Sequence, residues 1–198
     1  MHYDERVKII AEIGWNHMGD MNLAEEMISS AAESGADICK FQTWSEKHLK
    51  SGAWDGDGRR EIYKKAQLTE DDHLFLVEVC KKHSVGFLTA VFNSIDIPFL
   101  SKLNPSMVKI PSHEVYNLDL IKACTNRFET VYVSTGAADW KEILDITNSV
   151  DMDKVTLLHC VSAYPCPAGM VNLPRIEALK TIAERVGYSG HFHGIDDA

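Results

Sequence analysis

The chain has 198 residues, 45% of them hydrophobic and 25% charged, with a formal net charge of -9. That acidic balance disfavours a nucleic-acid or anionic-membrane partner, which needs a basic face. No segment approaches the roughly 20 apolar residues that cross a bilayer, and residues 1–10 lack a signal-peptide core, so a cytoplasmic protein is expected.

In chain order, a β-branched run over 7–13 predicts the first strand. Leu23, Met27, Ile28, Ala31 and Ala32 recur at helical spacing over 22–34, with Asn22 to cap the helix and Gly35 to end it. The second strand follows over 37–42. Residues 45–60, polar and glycine-rich, with His48 and Trp54, read as a mobile lid loop. Thr69, with Asp72 three residues on, caps a helix to His83. Strands are then expected over 85–92, 107–111, 130–134, 155–160 and 186–191. Helices are expected over 94–103, 118–124, 138–150 and 173–185, and another begins near Ala198. His2, His73 and His83 read as surface residues. The five cysteines form no CxxC pair, which predicts buried thiols in a reducing compartment.

Near-continuous apolar strands are those of parallel sheets covered on both faces. Their alternation with helices predicts an α/β fold, a (β/α)₈ TIM barrel that lacks its eighth strand in this chain. A doubly wound dinucleotide fold is disfavoured because no GxGxxG follows the first strand. Lys40 and Lys109 each sit inside an apolar strand, and a third strand ends in His159-Cys160. A buried charge is costly unless paired. Neither lysine has an acid beside it in sequence, which implies a bound phosphate or carboxylate. Glu12 lies in an apolar run too: it pairs with Lys40, or, buried unpaired, works as an acid or base with a raised pKa. His159 reads as a hydrogen-bonded barrel histidine, Asn16 and His17 orient the first loop or meet substrate, and Cys39 and Cys160 receive no chemical role.

Six segments carry a more specific signal. They are Ala11-Glu12-Ile13-Gly14-Trp15-Asn16-His17-Met18-Gly19, Lys40-Phe41-Gln42-Thr43, Lys109-Ile110-Pro111-Ser112, Ser134-Thr135-Gly136, Leu158-His159-Cys160-Val161-Ser162-Ala163-Tyr164-Pro165 and Gly187-Tyr188-Ser189-Gly190-His191. In this order and spacing the chain resembles the sialic acid synthase (NeuB) family, over its barrel portion and without the family's small C-terminal antifreeze-like domain. The resemblance implies condensation of phosphoenolpyruvate with an N-acylated amino sugar aldehyde, such as N-acetylmannosamine. The products are a nine-carbon 2-keto acid and phosphate.

It further implies that Lys40 and Lys109 hold phosphoenolpyruvate with Ser112, Ser134, Ser162 and Ser189. Gln42, Glu114 and Tyr164 face the sugar, with Glu114 handling a proton. His191 binds a divalent metal, Mn²⁺ or Mg²⁺, and full-length members dimerise. Three departures stand out. Ser162 replaces a common asparagine, Gly190 replaces a common aspartate, and the second metal histidine belongs to an eighth strand, with His193 a weak substitute. Two alternatives are kept: a truncated, non-catalytic phosphoenolpyruvate- or sugar-binding barrel, and another phosphoenolpyruvate-dependent aldol synthase. The latter would want arginines at the strand ends, whereas Arg59, Arg60 and Arg175 fall in loops or helices.

Overall fold

The computed structural model describes residues 6–49, 51–52 and 55–194; His2, Trp54 and the helix expected near Ala198 lie outside the described residues. Two compact units divide the chain, Met1–Ala90 and Val91–Ala198. Among the described residues no helix is long and apolar enough to cross a membrane.

The first unit runs β1 (Ile10–Gly14), α1 (Met21–Glu33), β2 (Ile38–Thr43), α2 (Arg59–Ala66), α3 (Glu70–Lys82) and β3 (Gly86–Val91). β1 pairs in parallel with β2, and β2 lies next to β3. The helix cap is Asp20, not Asn22: its carboxylate accepts from the Asn22 and Leu23 backbone at 2.9 and 3.2 Å. The helix starts two residues earlier than the apolar pattern that begins at Leu23, which places Asn22 inside the first turn. Asp20→Ala is expected to cost about 1 kcal/mol and Asn22→Ala almost nothing, read as a difference in thermal midpoint.

α2 occupies part of the expected loop. It docks through one aromatic residue: the Trp44 indole donates to the Tyr63 carbonyl at 3.2 Å, and Trp15 meets the Tyr63 ring edge-on at 5.9 Å. Arg60 pairs with Glu46 and Asp55, pinning the segment before the helix. α3 begins with the Thr69–Asp72 capping box. His73, expected at the surface, is buried. Its Nδ1 lies 2.7 Å from the Thr69 carbonyl and its Nε2 2.8 Å from Thr43 Oγ1, which in turn lies 2.7 Å from Thr89 Oγ1. Those hydroxyls repay the cost of taking the ring out of water.

The second unit contains α4 (Ile97–Leu103), β4 (Met107–Ile110), α5 (Leu118–Thr125), β5 (Thr130–Ser134), α6 (Trp140–Thr147), β6 (Val155–Cys160), α7 (Arg175–Lys180) and β7 (Val186–Ser189). β4 to β7 pair in parallel in sequence order. α6 and α7 are shorter than the apolar pattern suggests, because Asp139 caps α6 with Glu142, Asn148 ends it, and Pro174 precedes α7. The register decides the faces. Val108, Ile110, Val131, Val133, Val155 and Leu157 pack against Leu120, Ile121, Ile143 and Ile146 of the helices. The alternate residues, Lys109, Tyr132, Ser134, Leu158, Cys160 and Ser189, therefore share the other face. His159 is on the helix side, where its Nε2 lies 2.7 Å from the Val171 carbonyl.

Candidate functional site

In the second unit, polar groups gather at the C-terminal ends of β4, β5 and β6. Ser112 sits in a short 3₁₀ turn after β4. Its hydroxyl donates to Cys160 Sγ at 3.4 Å and accepts from the Gly136 backbone N–H at 3.3 Å. Gly136 is the hub. A Cβ built there would lie 2.8 Å from Ser162 Oγ, 3.0 Å from Cys160 Sγ and 3.0 Å from Ser112 Oγ. Only a glycine lets the three groups converge. Gly136→Ala should displace at least one of them and cost about 1–3 kcal/mol of stability, read by thermal melting beside anion binding.

Lys109 and Ser134 lie on the face shared with Cys160. Both are buried, and Ser134 Oγ has no hydrogen-bond partner among the described residues. Ser189 is half-buried opposite Cys160 across the β6–β7 pair. Ser162 and Tyr164 are exposed. Glu114 is half-buried and accepts from Asn117 Nδ2 at 3.0 Å.

His191 follows β7. Its Nδ1 lies 2.9 Å from the Val161 carbonyl and 3.7 Å from Cys160 Sγ, and its ring centroid is 4.1 Å from that of Tyr164. Burial pushes the Cys160 thiol up. The hydrogen bonds with His191 and Ser112 and the charges of His191 and Lys109 outweigh burial and hold the thiol below its ordinary range. His191 is raised, chiefly by its hydrogen bond with Cys160, against the opposing effect of burial. A carbonyl only accepts, so Nδ1 carries a proton and the neutral ring keeps its lone pair on Nε2. That nitrogen fits one arm of a metal site. Among the described residues no group of three His, Cys, Asp or Glu completes one.

In the first unit the predicted residues lie on β1, β2 and the turn after β1. Glu12 is opposite Lys40 in the β1–β2 register, and the two form an ion pair. Lys40 is buried, but the Glu12 side chain is half-exposed. The expectation of a buried lysine with no acid beside it is thus corrected for Lys40: the acid comes from the neighbouring strand. Of the two roles expected for Glu12, the register realises the pairing with Lys40. Gln42 Nε2 reaches Glu12 Oε1 at 3.5 Å, a long contact. His17 is fully buried, and its Nδ1 accepts from the Gly19 N–H at 3.0 Å. Burial lowers its pKa against the charge of Asp72.

A family model described as the NeuB family matches residues 27–198. The chain belongs to the NeuB family. It is 35% identical to the N,N'-diacetyllegionaminic acid synthase of Legionella pneumophila, over 94% of this chain and 58% of that protein. It is 33% identical to the pseudaminic acid synthase of Helicobacter pylori, over 94% of this chain and 59% of that protein. The crystal structure of the N-acetylneuraminic acid (sialic acid) synthetase of Leptospira borgpetersenii, in complex with citrate, superposes with a TM-score of 0.86 at 31% identity, covering 99% of this chain and 71% of that one. The chain thus spans a little under three fifths of those two curated NeuB relatives.

Sequence reasoning missed the part that two members of the second unit's cluster play. Gly136 entered only as part of the Ser134-Thr135-Gly136 segment, and Cys160 received no role. A polar cavity of about 520 Å³, lined by Lys122, Asn126, Asn148 and Lys154 among others, lies at the opposite end of β5 and β6. Lys154 there donates to the Thr125 carbonyl at 2.8 Å.

Proposed function

We propose that this chain carries the phosphoenolpyruvate-binding part of a sialic acid synthase-like enzyme built on a (β/α)₈ barrel. The observation that carries the reading is the convergence of Ser112, Cys160 and Ser162 around Gly136, on the strand face that also holds Lys109. A cation and several hydroxyl donors at strand ends suit a small phosphorylated carboxylate. The likeness to three kinds of nonulosonic acid synthase supports the substrate class.

In this reading Lys109 neutralises phosphate or carboxylate charge, while Ser112, Ser134, Ser162 and Ser189 donate to the oxygens. Glu114 exchanges a proton with the sugar aldehyde oxygen, and Tyr164 borders the sugar. In the first unit, the resemblance alone assigns Lys40 to phosphoenolpyruvate and Gln42 to the sugar, and Glu12 holds Lys40. His191 Nε2 would hold Mn²⁺ or Mg²⁺, which when bound polarises an aldehyde oxygen. The enol carbon of phosphoenolpyruvate attacks the aldehyde carbon, water adds to the resulting cationic carbon, and the tetrahedral intermediate expels phosphate. The side chains contribute mainly position and charge.

The test is incubation with phosphoenolpyruvate, Mn²⁺ and N-acetylmannosamine or a 2,4-diacetamido sugar. Formation of a 2-keto acid by the thiobarbiturate assay, with one phosphate released per product, is expected. Phosphate release that does not depend on the sugar would contradict it. The incomplete metal set among the described residues favours a second reading, a phosphoenolpyruvate-binding protein without turnover. That reading predicts binding and no 2-keto acid.

A further inference from the structure

We propose that Cys160 is a positioning residue for His191. Its sulfur shares the Nδ1 proton with the Val161 carbonyl and so turns Nε2 outward as the ligand-binding nitrogen. The inference deepens the metal reading above and rests on it for the identity of the ligand, a divalent cation.

The geometry starts from the strands. Cys160 is the last residue of β6 and pairs with Ser189 of β7, two residues before His191. This register brings the sulfur to 3.7 Å from Nδ1, within reach of an N–H···S hydrogen bond. The shorter contact, 2.9 Å to the Val161 carbonyl, comes from the first residue beyond the strand. A carbonyl at the start of a loop holds a direction less firmly than an atom on a strand. The sulfur is buried, so protein groups rather than water set its polar contacts. Tyr164 packs against the imidazole at 4.1 Å and restricts the ring's rotation.

The same sulfur accepts from Ser112, whose oxygen accepts from the Gly136 N–H. A hydrogen-bonded line therefore runs from the end of β5 to His191, with Cys160 at its centre. When Ser112 turns its hydroxyl to a substrate oxygen, Cys160 keeps only the imidazole proton. The anion cradle and the metal arm are thereby coupled through one atom. Partners of this kind, on the far nitrogen of a ligating histidine, typically change metal affinity by 10–100-fold when removed.

The test reads the tautomer directly. Long-range ¹H–¹⁵N spectra of the neutral ring are recorded for the wild type, Cys160→Ala and Cys160→Val, the last being near-isosteric but lacking an acceptor. Fold is checked in the amide spectrum, so that either variant serves if the other does not fold. The wild type should show a proton on Nδ1 and a lone pair on Nε2, and the variants a mixture in which Nε2–H is populated. Mn²⁺ affinity, followed by electron paramagnetic resonance of the free ion, should fall about tenfold in the variants. An unmixed Nδ1–H tautomer in a folded variant would overturn the proposal, as would Nε2–H in the wild type. If the tautomer shifts as expected but the wild type binds no Mn²⁺, the metal reading fails while the positioning role stands.

Discussion

Gly19→Ala should destabilise the first unit by about 3–5 kcal/mol. Gly19 ends the turn between β1 and α1 with φ at +79°, and a Cβ there would lie 2.2 Å from the Lys65 backbone carbonyl. Backbone cannot yield as a flexible side chain can, so α2 must move or the turn must open. Its N–H also serves His17 Nδ1 at 3.0 Å. Gly35→Ala is the control. Gly35 has φ at +89° and nothing within 4 Å of its would-be Cβ. It should cost only the left-handed penalty, about 1–2 kcal/mol. Urea titrations of both variants separate the two contributions. Equal losses would show that contact with α2 contributes nothing.

Lys109→Met should weaken phosphoenolpyruvate binding by about 2–5 kcal/mol without unfolding the chain. The methionine keeps the apolar stem that packs in β4, and the ammonium is lost from a buried position beside Cys160 and His191. Isothermal titration beside thermal melting reads both effects. Lys40→Met breaks an ion pair between strands. Its partner Glu12 is half-exposed, so water can take over the carboxylate, and the change in stability should be small. Unchanged phosphoenolpyruvate affinity in Lys109→Met would remove the cation from the cradle.

The strand positions were largely legible because buried parallel strands are short apolar runs, and a lysine inside such a run is conspicuous. What a run does not show is which residue faces which strand. Glu12 and Lys40 pair because the β1–β2 register sets them opposite, and an irregularity between Glu12 and Gly14 follows at once. Two plausible roles for Glu12 could not be separated before that register was known. His73 misled for another reason. It follows Glu70, Asp71 and Asp72, an acidic run that looks solvated, yet its ring turns inward to the Thr43 hydroxyl, which is bonded in turn to Thr89. α2 was hidden because Ile62, Tyr63 and Ala66 are its apolar residues, too few for a helical pattern to stand out. Cys160 was masked by strand β6, which is buried at every position and so displays no alternation. The family resemblance named the serines and His191 but could not say that a glycine and a thiol tie them together.

The most direct measurement is a titration of phosphoenolpyruvate into ¹⁵N-labelled protein, followed by amide chemical shifts. Binding in the cradle predicts that the largest changes fall on Gly136, whose N–H donates to Ser112, and on Ser112, Cys160 and Val161, with saturation lost in Lys109→Met. Saturable changes centred instead on Lys122, Asn126 and Lys154, around the polar cavity at the other end of β5 and β6, would contradict the assignment of the phosphoenolpyruvate site.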